Sequence, residues 1–121
     1  MASSLTATDL GPWLRERGID TLTVVGYMTH NCDDATVRQA MHEGWKVELL
    51  HDAAGSLPYA NSLGAATAEE IHRIFTIVMH TGFAAVVSTE EWLRALASGG
   101  ALEVDNVFLS NQLALAGRGT P

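Results

Sequence analysis

The stretch GYMTHNCDDATVR, Gly26 to Arg38, holds the sequence's single cysteine, Cys32, preceded by His30 and Asn31 and followed by two aspartates. A thiol at the start of a helix meets unpaired backbone N–H groups and the positive end of the helix dipole, which favours the thiolate and makes the sulfur a nucleophile. Asp33 and Asp34 oppose that effect. Free cysteine is also among the most buried residue types and is then inert. Local chemistry alone leaves both readings open.

The elements around Cys32 decide whether it stands at a site. TLTVVGY, residues 21–27, is apolar on both faces, as expected of a strand inside a parallel sheet. Val37, Ala40 and Met41 then mark the buried stripe of a helix from about Cys32 to Glu43, and WKVELLHDA, residues 45–53, reads as the next strand. Before the first strand, Leu10, Trp13 and Leu14 give the spacing of a short amphipathic helix that Gly18 stops.

Residues 54–66 carry Gly, Pro, Asn and Ser with no apolar period, so they are expected to form a loop that covers something. Thr67 and Glu70 form a capping box ahead of Ile71, Ile74, Phe75, Val78 and Met79, and Ser88 and Glu91 repeat it ahead of Trp92, Leu93 and Leu96. Between those helices FAAVVST, residues 83–89, is a third strand. Residues 101–121 show no period and are expected to be an irregular tail.

This alternation predicts an α/β fold, an open three-layer α/β/α parallel sheet of Rossmann-like type with right-handed crossovers. Only three strands are visible, which leaves the first with an apolar, unpaired edge. In such sheets sites lie beyond the carboxyl ends of the strands, where Cys32 falls.

Composition narrows the function classes. Hydrophobic residues are 47% and charged residues 17% of the 121, in the globular range for one domain. Seven basic against fourteen acidic residues argue against a nucleic-acid partner. No apolar run approaches the ~20 residues that span a bilayer, so no membrane partner is expected. One cysteine allows no internal disulfide, and the opening MASSLTATD has no signal-peptide core, so a cytoplasmic location is the expectation.

Over residues 6–96 the chain resembles the isochorismatase-like cysteine hydrolase superfamily. The matching elements are an RGI-x-x-L strand ending in G-x-x-T-x-x-C (Gly26, Thr29, Cys32), a downstream A-x-x-x-G (Ala40, Gly44), and a second strand ending in Asp52 and Ala53. The run EEIHRIFTIVMHTGFAAVVSTEEWL looks like the family's closing helix, strand and helix.

That resemblance implies a mechanism and a role for each residue of the turn. Cys32 would attack a small amide or related carbonyl and form an acyl-enzyme that water hydrolyses. The N–H groups of Met28 and Cys32 would form the oxyanion hole, helped by a cis peptide between Tyr27 and Met28. Tyr27, Thr29, His30 and Asn31 would lie beside the substrate. The three strands would be strands 4, 5 and 6 of a six-stranded order 3-2-1-4-5-6.

The family's catalytic Asp and Lys belong to the other half, so the resemblance implies a single, N-terminally truncated domain over 1–121. No cofactor and no metal are expected, because the family's metal ligands also lie in that half. Its partners would be a small-molecule substrate and either a second copy or another chain covering the edge strand. A chain of this kind is either a hydrolase or an inactive half-domain that pairs through that edge.

Several other residues have plainer readings. His30 is a local base or a solvated loop histidine, and His42, His72 and His80 read as surface or capping residues. Asp52 is expected to orient loop N–H groups. Trp13, Trp45 and Trp92 are expected to pack.

Overall fold

The computed structural model describes residues 2–117. Helix α1 (Leu10–Glu16) leads into strand β1 (Thr21–Tyr27), a π-helical turn (Thr29–Asp33), α2 (Asp34–His42) and β2 (Lys46–Gly55). A hairpin of β3 (Tyr59–Asn61) and β4 (Gly64–Ala66) comes next, then α3 (Ala68–Met79), β5 (Ala85–Val87), α4 (Thr89–Ser98) and α5 (Val107–Gly117).

Strands β1, β2 and β5 form one parallel sheet in that order, with Leu22 opposite Val47, Val24 opposite Leu49, and Leu49 opposite Val86. This is the expected open α/β/α sheet. Strand alternation divides its faces. Val47 and Leu49 enter a core shared with Leu14 of α1, Val37 and Ala40 of α2 and Met79 of α3. Glu48, on the opposite face, accepts from Trp92 Nε1 of α4 at 3.2 Å and from Thr23 Oγ1 of β1 at 2.8 Å. Among the described residues no helix is long and apolar enough to cross a membrane.

The helix starts behave as their sequences dictate. Both capping boxes form: Thr67 and Ser88 each accept the N–H of the glutamate three residues on, and each glutamate bonds back to the cap residue's N–H. Trp45 packs in the core and donates its indole N–H to Ile19 O at 3.1 Å. Trp13 departs from the expected stripe. It lies on the surface, with the Arg17 guanidinium 3.7 Å over its ring.

Two segments differ from the sequence expectation. Residues 59–66 form an antiparallel hairpin inside the expected loop, with Ala60 opposite Ala65. Its turn is closed by Leu63 N–H donating to Asn61 Oδ1 at 2.9 Å, and by Gly64 at φ +136°, a region open mainly to glycine.

The second difference is α5, inside the expected irregular tail of 101–121. Residues 101–106 lack regular structure, but Asn106 caps a helix from Val107, its Oδ1 accepting the Leu109 N–H at 2.8 Å. Periodicity gave no warning because the helix has no polar face. Residues 118–121 lie outside the described set.

Candidate functional site

Tyr27 ends β1 at the open edge of the sheet, and the peptide joining it to Met28 is cis. The Met28 carbonyl then accepts two N–H groups, from Asn31 at 3.0 Å and from Asp33 at 3.2 Å. The second bond spans five residues, which makes the turn π-helical before α2 continues as an ordinary helix, a geometry frequent at functional sites. Asn31 and Cys32 are exposed on this turn, and Thr29 and Asp33 are buried beneath it. The thiol stands on the outward side of a turn anchored from inside.

The anchors come from three elements. Thr29 is fully buried, and its hydroxyl lies 2.7 Å from His72 Nδ1 on α3. Asp33, 4% exposed, faces the backbone of Gly26. Gly26 has φ +135° at the irregularity where β1 shifts register against β2, and a Cβ there would lie 3.2 Å from Asp33 Oδ1. Glycine at this position is thus required by backbone conformation and by close approach.

Burial pushes the Asp33 carboxyl above its usual range, with the nearby His72 acting in the opposite direction. Its Oδ2 has no hydrogen-bond partner among the described residues. Asp34 pairs with Arg38 at 3.0 Å, so the two aspartates after Cys32 have different surroundings.

On the outer side, the Cys32 thiol points to Asn31 Oδ1 at 3.8 Å, its one hydrogen bond among the described residues. His30 turns elsewhere. Its Nε2 is 2.8 Å from the Tyr59 hydroxyl of β3, the two rings meet edge to face, and Nδ1 is buried without a partner among the described residues. Tyr59 also reaches Met28 Sδ at 3.8 Å, so the hairpin is fastened to the turn through His30 and Met28.

Sequence reasoning did not anticipate the placement of His72, expected at the surface or at a cap. It is half-buried behind Thr29, across a separation of 43 residues that no local pattern encodes. Of the other two, His42 Nδ1 is paired with the Arg38 carbonyl on its own helix, and His80 accepts the Val86 N–H at the edge of the sheet. Asp52 Oδ1 accepts the N–H and hydroxyl of Thr89 at the start of α4, so it orients backbone as expected. Those bonds, the hydroxyl first, hold its carboxyl below the usual range.

An open parallel sheet with an exposed thiol on the turn after its edge strand defines an α/β protein whose free cysteine lies at the carboxyl ends of the strands, where sites of such sheets are found. The isochorismatase domain profile matches residues 1–91, and the chain belongs to the isochorismatase family.

A crystal structure assigned to the isochorismatases, from Burkholderia xenovorans LB400, is 56% identical with a TM-score of 0.95, covering 99% of this chain and 58% of that one. A cysteine hydrolase from Pseudomonas syringae pv. phaseolicola 1448A is 33% identical with a TM-score of 0.78, covering 81% of this chain and 46% of its own. The uncharacterized isochorismatase family protein YddQ of Bacillus subtilis is 34% identical over 94 residues, 78% of this chain and 52% of its own. The chain therefore spans about half the length of these relatives.

Proposed function

We propose that this chain carries the nucleophile of a cysteine hydrolase that cleaves a small amide or related C–N bond. The observation that carries the reading is the exposed Cys32 thiol on a turn built by Gly26, Thr29 and Asp33. Similarity to a cysteine hydrolase supports the class of reaction.

In the proposed reaction the Cys32 thiolate adds to the carbonyl carbon. The resulting oxyanion is stabilised by the N–H groups of Met28 and Cys32. Collapse breaks the C–N bond, the amine leaves with a proton, and water hydrolyses the thioester to return the thiol. Tyr27, His30 and Asn31 contact the substrate, while Thr29 holds the turn from below.

The proton acceptor and the cation that the reaction needs are not supplied by Lys46. It begins β2 opposite Thr21, six residues of strand before Tyr27 and the carboxyl end where Cys32 sits, on the order of 20 Å away. We assign both groups to a segment or partner chain lying against the open edge of β1, where Val25 and Tyr27 are exposed.

Mass spectrometry after incubation with a panel of small amides and activated esters tests the reading. The expected result is a single acyl adduct on Cys32 that Cys32→Ala abolishes, together with alkylation by iodoacetamide faster than that of a free thiol at neutral pH. No adduct and ordinary alkylation would favour the other reading, an inactive half-domain that pairs through β1.

A further inference from the structure

His30 stands in the chain between Met28 and Cys32, the two residues whose N–H groups stabilise the oxyanion in the proposed reaction. Its two ring nitrogens have different surroundings. Nε2 lies 2.8 Å from the Tyr59 hydroxyl, while Nδ1 is buried without a partner among the described residues. The Phe75 ring of α3 meets the imidazole edge to face, with centroids 6.0 Å apart. The Tyr59 hydroxyl has a second neighbour, Met28 Sδ at 3.8 Å. A thioether carries no proton, so in that contact the hydroxyl donates.

Those contacts place the protons. A neutral imidazole has one N–H and one bare nitrogen. With the proton on Nε2, His30 donates to Tyr59, and the phenolic hydrogen remains free to donate to Met28. With the proton on Nδ1, the Tyr59 hydroxyl must turn to Nε2, Met28 loses its donor, and a buried N–H is left unpaired. The first form makes two hydrogen bonds where the second makes one. In the first form the only lone pair that could take a proton is on Nδ1, which is enclosed, whereas the Cys32 thiol stands on the outer side of the turn and points to Asn31.

Tyr59 is also the one large side chain in the strands of the hairpin, YAN and GAA, whose Ala60, Asn61, Gly64 and Ala65 are exposed. It is the side chain by which the hairpin reaches both His30 and Met28. We propose that His30 and Tyr59 form a brace that positions the Met28 side of the oxyanion hole, with the His30 proton on Nε2, and that His30 is a positioning residue and not the base for Cys32. The purpose of the brace rests on the hydrolase reading, whereas its proton placement stands on the geometry alone.

Two measurements test it. Long-range 1H–15N NMR of the native chain above neutral pH reads the tautomer of His30 and needs no turnover. The expected spectrum has a protonated Nε2 and a bare Nδ1, with the Nε2 signal moved in Tyr59→Phe; a proton on Nδ1 overturns the proposal. The second measurement is acylation of Cys32 by p-nitrophenyl acetate, in which Sγ takes the acetyl group and p-nitrophenolate leaves, with Cys32→Ala as the blank. His30→Ala and Tyr59→Phe should each slow it by about tenfold, as a small misplacement of a reacting group does, and the double variant should be no slower than either. His30→Gln can donate to Tyr59 but cannot take a proton, and should recover part of the rate. Acylation as slow in His30→Gln as in His30→Ala, or unchanged in Tyr59→Phe, refutes the brace. A native chain that is not acylated at all refutes the hydrolase reading instead, and the spectrum alone then decides the placement of the proton.

Discussion

Replacing Thr29 by Val tests whether the turn bearing Cys32 is held from within. Valine keeps the shape of the side chain and removes the hydroxyl, which lies 2.7 Å from His72 Nδ1 in a fully buried position. The loss leaves a ring nitrogen without its partner in a half-buried place, which costs about 1–3 kcal/mol. The extra methyl returns part of this, up to about 0.8 kcal/mol. The net expectation is a destabilisation of about 1–2 kcal/mol, read as a lower urea midpoint with an unchanged m value.

A double-mutant cycle with His72→Ala isolates the pair, and contacting residues of this kind show coupling of about 0.5–3 kcal/mol. The second readout is local. Amide exchange at Asn31 and Asp33, whose N–H groups close the turn on the Met28 carbonyl, should accelerate together, ahead of the core strands. Additivity within about 0.3 kcal/mol, with unchanged exchange at those two amides, would refute the idea that α3 anchors the turn through Thr29.

Three further outcomes are expected. The Asp33 carboxyl is raised by burial, so the native state binds its proton more readily than the unfolded chain does. Its stabilising contribution is complete at low pH and lost as pH rises through the raised value. Asp33→Asn should therefore melt higher than the native chain at neutral pH, with the gain vanishing on acidification below the ordinary aspartate range. Asp52 has the opposite sign. Its carboxyl is lowered by Thr89, its contribution is present above the ordinary range and lost as pH falls through the lowered value, and Asp52→Asn should flatten the acid limb of a melting-temperature profile. Gly26→Ala should cost about 1–3 kcal/mol in urea titration, because alanine at φ +135° is strained and its methyl group meets Asp33.

What the sequence disclosed was whatever is written locally. The alternation of apolar runs carried the succession of strands and helices, and the pairs Thr67/Glu70 and Ser88/Glu91 announced their helices because a capping box is closed within four residues. The hairpin was hidden because YAN and GAA have little β propensity, and it is fixed instead by Asn61, Gly64 and the distant His30. α5 was hidden because periodicity detects a helix with two unlike faces, and this one is apolar on all sides. Of the site, Gly26, Thr29 and Cys32 were legible as a spaced motif. The residue behind them, His72, was not, since its contact is made by folding alone.

That division bears on how a chain half the length of its relatives presents a formed site. Every group described as shaping the Cys32 turn lies inside this chain: Gly26 on β1, Asp33 at the head of α2, Thr29 beneath the turn and His72 on α3. The contacts that shape the Cys32 turn are therefore made within this chain. In the proposed reaction the edge side contributes a proton acceptor and a cation, since the sulfur's one hydrogen bond among the described residues is a long contact to Asn31. Position and activation are thus separable in this fold. On the proposed reading the Cys32 turn is expected to keep its shape while the edge is open, and the acylation and alkylation of its thiol to rise further when the edge is covered.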